Sequence, residues 1–476
     1  MTAENSVHHF DIPAARLPVG YEADVVVVGA GPGGFAAALQ AARMGASVIV
    51  VEKFDMPGGV HTSGLQGSAD GEVGGIHAEL IDRLEVEGYI YTATEESHPD
   101  WAGNPLTHYE RFKQPGSAFS RVTFNPEGAG CVMSEMLEEA GARVLYDTRF
   151  VDCVMRDGPG DSSIEAIVVQ NVSGRFAIRG KVFIEGSGTA EVAARAGVPY
   201  VAGGGGQPET ADWDGVKRPI PGGLLWTMSG VDFAAVARHQ RDAKDPLLQK
   251  TIAEALAAGD IPPDLYRPKM GGSGVYGDFY IGHPTLDLSP ISAEGTYVLW
   301  QNVPYELGLH MDESGEDQAT AIRLLRSFVN AEAKFLKKYV PGFQDATIAS
   351  VGRFVGVRDG RHPVGEHVFS LEDVLAGRRF RDAVTAPMVK PFYWDGHRKH
   401  EFEVPFRSFL PKGVDNLILT GASLSFTYDT IFMVMRNFPW CIQTGEIAGF
   451  AAARCVARGL GPKDLEWQKP YFPVAA

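Results

Sequence analysis

The segment Gly29-Ala30-Gly31-Pro32-Gly33-Gly34 sets glycines at 29, 31 and 34 in the pattern GxGxxG. Each position has its own task in holding a diphosphate. The first glycine turns the chain sharply out of a strand, and the second lets backbone approach a pyrophosphate. The third lets the following helix pack on the strand, with its N-terminal N–H groups facing the phosphates. Glu52 stands eighteen residues beyond Gly34, at the end of the next apolar run. A carboxylate there accepts from both ribose hydroxyls and repels a 2′-phosphate. Gly29, Gly31, Gly34 and Glu52 therefore read as a dinucleotide site; the alternative is a glycine-rich helix start with no ligand. Next comes Pro57-Gly58-Gly59-Val60-His61-Thr62-Ser63-Gly64. That loop suits flavin and ribityl contacts better than a nicotinamide, although an ordinary surface loop has the same composition. One GxGxxG follows a buried strand and opens a helix, so one dinucleotide is expected, FAD rather than NAD.

These residues need elements to hold them. Asp24-Val25-Val26-Val27-Val28 is a continuous β-branched run, the pattern of a strand buried on both faces. A helix over Phe35–Met44 and a second buried strand, Ser47–Val51, complete a βαβ unit of about thirty residues. Residues 57–75 read as a loop, 76–87 as a helix, and 92–117 as an insertion rich in His, Pro and aromatics. A helix over Glu127–Ala140 leads to a strand at Arg143–Tyr146. Alternation over 150–155, 164–171 and 175–184 predicts a β-meander. Val182-Phe183-Ile184 runs into Gly186-Ser187-Gly188 and a helix through Ala196, and 203–224 mark a Gly/Pro-rich boundary. Residues 225–345 mix strands with helices, notably 318–338. Leu417–Gly421 is another buried strand and Pro439–Arg458 a long Ala-rich helix. The fold class is α/β: a discontinuous Rossmann-like FAD-binding domain (22–91, 118–205 and 346–476) with an inserted mixed α+β substrate domain (92–117 and 206–345). Residues 1–21 form a polar tail.

From about residue 22 to 458 the motifs resemble the FAD-dependent oxidoreductases related to the succinate dehydrogenase and fumarate reductase flavoproteins. The segments that carry the resemblance are DVVVVGAGPGGFAAALQAARMGASVIVVEK, GGVHTSGLQG, FIEGSGTAEVAARAGVPY, VGVRDGRHPVGE with VFSLEDVLAGRRF, and VPFRSFLPKGVDNLILTGASLS. The resemblance implies that Lys53, Gly59, Gly186, Gly188 and Gly421 join the four motif residues around FAD. Three places depart from the pattern. Gly186-Ser187-Gly188-Thr189-Ala190 stands where Ala-Thr-Gly-Asp-Gly is common, keeping the small residues and losing the acidic contact. Val357-Arg358-Asp359-Gly360-Arg361-His362 replaces Ile-Arg-Glu-Ser-Arg-Arg, and Tyr428-Asp429 replaces His-Glu. The spacing in His61-Thr62-Ser63-Gly64-Leu65-Gln66-Gly67 resembles the succinate dehydrogenase segment whose histidine bonds covalently to the flavin. The preferred alternative for His61 is a loop histidine that hydrogen-bonds nearby or faces water.

A flavin dehydrogenase needs a group that moves a proton and, usually, a fixed charge that orients the substrate. The resemblance places Arg358 and Arg361 near the domain junction, where a guanidinium clamps a carboxylate; the alternative is an ion pair with Asp359 or Glu366. Tyr428 follows the last flavin strand, in a loop that passes the isoalloxazine in such folds, and either hydrogen-bonds there or simply packs. Tyr276, Tyr280 and His283 lie among glycines, in a pocket wall or an exposed hairpin. His362 reads as structural, and His397 and His400 as surface. Arg436 and Pro439 precede a helix whose N-terminal dipole favours negative charge on a flavin.

Forty-three Lys and Arg against 59 Asp and Glu give a net charge of −16, which repels nucleic acid and anionic lipid. Cys131, Cys153, Cys441 and Cys455 form no CxxC pair and read as buried thiols; no metal site is expected. No export signal and no membrane-spanning run is visible, so a cytoplasmic protein is expected. No GxSxG elbow, P-loop lysine or HExxH helix is present. The expected activity is hydride transfer between a small organic substrate and flavin N5, in the oxidising direction, with oxygen, a quinone or a carrier protein as electron acceptor. The rivals are an NAD(P)H-fuelled flavin monooxygenase and a flavin-bearing subunit without turnover. Oligomeric state leaves no signature.

Overall fold

The structure is a computed structural model that describes residues 16–70, 74–91, 121–158, 162–204, 218–242, 249–261, 289–292, 295–303, 307–385, 388–391, 399–430 and 437–467. Its largest sheet is built on β1 (Val19–Val28). On one side β1 pairs in parallel with β2 (Val48–Val51), which pairs with β3 (Arg143–Leu145). On the other side it pairs in parallel with β6 (Gly174–Glu185), Val25 facing Val182 and Val28 facing Glu185. The first half of β6 continues into the antiparallel strands β5 (Ser163–Asn171) and β4 (Arg149–Arg156). Its second half takes β11 (Leu417–Leu419) as a parallel neighbour, so the last piece of the domain joins the sheet from more than 200 residues away. The apolar runs of β2 and β11 are wholly buried, as strands with both faces covered must be.

β1 starts at Val19, inside the expected tail, because Val19–Ala23 pair with the register Ala177–Gly180 of β6. The third strand of the expected meander is also a strand of the parallel sheet, between β1 and β11. Alternation alone did not show that its second half changes neighbours. The expected strand over Leu417–Gly421 ends at Leu419, and Gly421–Ser423 turn as a 3-10 helix.

Helix α1 (Pro32–Arg43) crosses the sheet against the C-terminal α8 (Phe438–Arg458), with α2 (Ile76–Val86) and α3 (Pro126–Glu139) beside them, while the short α4 (Glu191–Arg195) follows β6. A Cβ on Gly445 of α8 would stand 2.1 Å from the Gly33 carbonyl oxygen, and one on Gly449 would stand 2.2 Å from that of Ala37. Only glycine allows this approach, and it brings the N-termini of α1 and α8 together.

The inserted domain has its own core and an antiparallel sheet ordered β8 (Ser289–Ser292), β9 (Thr296–Asn302), β7 (Gly223–Ser229), β10 (Thr347–Val351). Leu224, Trp226 and Met228 of β7 point into that core with α5 (Phe233–Asp242), α6 (Gln249–Ala257) and α7 (Gly315–Tyr339), whose N-cap Ser314 accepts from the Asp317 N–H. Tyr276, Tyr280, His283, His397 and the insertion 92–117 lie outside the described residues. The thiols differ from expectation: Cys441 and Cys455 are buried, but Cys131 is exposed on α3 and Cys153 half-buried. Among the described residues no helix is long and apolar enough to cross a membrane.

Candidate active site

The strand ends, the two helix N-termini and the inserted domain enclose a cavity of about 760 Å³. Its wall includes Gly29, Gly31, Glu52, Lys53, Gly59, His61, Gly186, Gly188 and Gly421. Gly34 lies behind the wall. A Cβ there would meet the Gly29 carbonyl oxygen at 1.8 Å, so this glycine sets the helix-to-strand contact rather than touching a ligand. Gly29 has φ +92°, and its Cβ would strike Gly186 backbone at 2.5 Å. These turns at the carboxyl ends of neighbouring parallel strands form the crevice where doubly wound sheets bind ligands.

Glu52 is buried, with Oε2 accepting from the Ala30 N–H at 2.6 Å and Oε1 from the Phe54 N–H at 2.9 Å. Burial pushes its carboxyl above the usual range, against the pull of those two donors. Lys53 pairs with Glu191 at 3.4 Å, and Thr189 donates to the same carboxylate at 3.1 Å. The fully buried Glu185 accepts from Ser187, Val192 and Ala193 N–H groups and from the Ser187 hydroxyl, holding the Gly186–Ala190 turn in shape. Among the described residues, the non-glycines with positive φ are Leu65, Asp147 and Ala190. Each is next in sequence to a wall residue (Gln66, Thr148, Thr189), so backbone strain is concentrated around the cavity.

His61 ends a 3-10 turn, is 4 % exposed, and packs on Phe438 with ring centroids 4.3 Å apart. It does not face water. Arg358 lines the cavity and donates from Nη1 to the Pro221 carbonyl at 3.0 Å. Arg361, three residues on, leaves the wall for the seam between domains, where Nη1 donates to Thr189 and Nη2 to Asp312 carbonyls. Its expected alternative partners are engaged elsewhere. Asp359 binds His362 at 2.7 Å and accepts from Gly204 and Ile220 N–H groups, and Glu366 pairs with Lys463. His362 is thus a structural clasp. Tyr428, on the one-turn helix Tyr428–Thr430, is not part of the described cavity wall; its ring meets His362 edge-on with centroids 6.4 Å apart. His400 is half-buried in a short strand rather than at the surface.

Several wall residues escaped the sequence reading. Thr148, Arg149 and Phe150 follow β3, whose strand pattern was legible; the end of a parallel strand was the usable signal. Asn437, Phe438 and Cys441 come from the α8 N-terminus. Met311, Asp312 and Glu313 come from the loop before α7, and nothing in their types or spacing announced them. The Asp312 side chain is only 2 % exposed, and burial pushes its carboxyl up.

A profile described as "FAD dependent oxidoreductase" matches residues 24–470. The chain belongs to the FAD dependent oxidoreductase family. This oxidoreductase resembles several solved structures at low identity. With p-nitrophenol 4-monooxygenase from Pseudomonas putida DLL-E4 it shares 12% identity, covering 93% of this chain and 82% of the other, at a TM-score of 0.44. With a geranylgeranyl bacteriochlorophyll reductase-like protein from Thermoplasma acidophilum it shares 14%, covering 92% and 79%, at 0.42. With the flavin-dependent brominase Bmp2 it shares 14%, covering 94% and 82%, at 0.43. No curated protein sequence matches the chain.

The residues of the oxidoreductase fit FAD. Helix α1 begins at N-cap Gly31 with Pro32 following and no side-chain cap, so its first-turn N–H groups remain for a pyrophosphate at the cavity wall. A Cβ on Gly59 would stand 3.2 Å from the Gly31 Cα, narrowing a cradle that glycine keeps open. Glu52 would hold the ribose, and the α8 N-terminus and His61 border the far end.

Proposed function

We propose that this FAD-dependent enzyme oxidises a small, oxygen-rich or anionic organic substrate. When bound, FAD supplies N5 as hydride acceptor and takes up negative charge as it is reduced. The observation that carries the direction is the N-terminus of the 21-residue helix α8, which opens on the cavity without a side-chain cap. A helix N-terminus favours negative charge, which supports a cofactor poised to accept electrons. Arg358 supplies a permanent cation on the same wall and orients a carboxylate or polarised oxygen. Gly223 and Leu225 of β7 line the cavity from the inserted domain. The single GxGxxG that leaves a buried strand and opens a helix supports oxygen, a quinone or a carrier protein as the final electron acceptor, rather than a dedicated NAD(P)H domain.

An anaerobic bleaching screen of the yellow holoenzyme across alcohols, amines, hydroxy acids and cyclic ketones tests this reading. Bleaching by a hydroxy acid or alcohol, with NAD(P)H inert, is the expected result. Rapid bleaching by NAD(P)H with oxygen insertion into product would identify a monooxygenase, and a flavin that no compound bleaches would identify a subunit without turnover.

A further inference from the structure

The guanidinium of Arg361 crosses the seam between the two domains. Arg361 belongs to the segment that returns from the inserted domain, and only 14 % of its side chain is exposed. Nη1 donates to the Thr189 carbonyl at 3.1 Å, on the turn that follows β6. Nη2 donates to the Asp312 carbonyl at 2.6 Å, on the loop that precedes α7. Carboxylates of Asp312 and Glu313 stand 3.9 and 3.7 Å away. The ring of Tyr200 lies 5.7 Å from the guanidinium, and its hydroxyl donates to Glu313 at 3.1 Å.

Thr189 and Asp312 are both cavity-wall residues, one from each domain. The short bonds go to backbone carbonyls, so Arg361 sets where two loops lie rather than how two side chains pair. Arginine suits this role because its planar fork holds several donors in fixed directions and stays charged. Thr189 adjoins Gly188, and Asp312 adjoins Met311 and Glu313, all on the same wall. A ligand that fills the cavity therefore touches both lips that Arg361 joins.

We propose that Arg361 is a positioning residue that latches the Met311–Ser314 loop onto the Ser187–Ala190 turn, so that FAD retention and docking of the inserted domain form one coupled equilibrium. Such coupling is reciprocal: whatever closes the seam slows FAD release, and FAD closes the seam. The proposal rests on FAD binding alone and not on the substrate or the direction of the reaction.

Two measurements test it. FAD release from the Arg361→Gln holoenzyme is expected to be at least ~10-fold faster than from wild type, about 1.4 kcal/mol. Arg361→Lys keeps the charge without the fork and is expected to fall between them. Hydrogen exchange reads the same coupling without requiring the flavin to leave. In wild type, FAD is expected to slow exchange at Met311–Ser314 as well as at Ser187–Ala190. In Arg361→Gln it is expected to slow only the latter. The proposal is overturned if Arg361→Gln releases FAD at the wild-type rate. It is equally overturned if FAD leaves Met311–Ser314 exchange unchanged in wild type, a measurement that needs no variant to fold.

Discussion

Gly445 of α8 and Gly33 of α1 touch through backbone, with the position of a Gly445 Cβ only 2.1 Å from the Gly33 carbonyl oxygen. Gly33 is also a wall residue of the cavity, and Thr444, beside Gly445, accepts from the Gly421 N–H at 3.1 Å. The crossing of two helices thus sets the spacing of three cofactor-facing segments.

Gly445→Val is expected to cost about 3 kcal/mol, because backbone cannot yield as a flexible side chain would. Gly445→Ala is expected to cost less, since alanine recovers about 1 kcal/mol of helix propensity. Urea denaturation of both variants, with FAD content measured beside it, checks the order. Equal stability to wild type in Gly445→Val would show that α1 and α8 slide apart freely.

Arg358→Gln is expected to raise KM ~10-fold or more and leave kcat nearly intact, as for a charge that only holds substrate. Steady-state kinetics with whichever compound bleaches the flavin decide it. An unchanged kcat/KM would remove Arg358 from the substrate site.

His61 sits in a ring cluster with Phe438 at 4.3 Å, while His77 and Phe124 meet Phe438 at 5.9 and 5.7 Å. This packing supports a role in shaping the flavin end of the cavity, and free FAD is expected in the supernatant after acid precipitation. Flavin fluorescence migrating with the denatured protein, and vanishing in His61→Ala, would instead establish the covalent bond that the local motif resembles.

Asp24 accepts from Lys181 at 2.6 Å and from the Ser47 N–H at 3.0 Å, which holds its carboxyl down to about 2. A lowered folded-state pKa adds stability above the ordinary value of 3.8, and that stability is lost as pH falls toward 2. After allowance for solvent screening, Asp24→Asn is expected to lose about 1 kcal/mol at pH 7. The loss should be the same in urea titrations at pH 5 and should shrink at pH 3. A difference from wild type that stays constant with pH would assign the effect to packing instead.

The cofactor half of the site was legible before any coordinates. GxGxxG, the Glu52 strand end and the Ala-rich helix act through contacts within about thirty residues, so a local pattern carries the whole constraint. Repeated small residues at Gly59, Gly186, Gly188 and Gly421 extended that reading along the chain, because close backbone approach admits few residue types. The catalytic half was not legible in the same way. Arg358 and Arg361 are the same residue type three positions apart in an irregular segment, where no helix or strand period dictates direction. One reaches the cavity and the other the Thr189 and Asp312 carbonyls, and only the docking of the inserted domain separates them. Asp312 shows the same limit. A loop carboxyl with no motif enters the wall, because its position is decided by contacts between residues far apart in the chain.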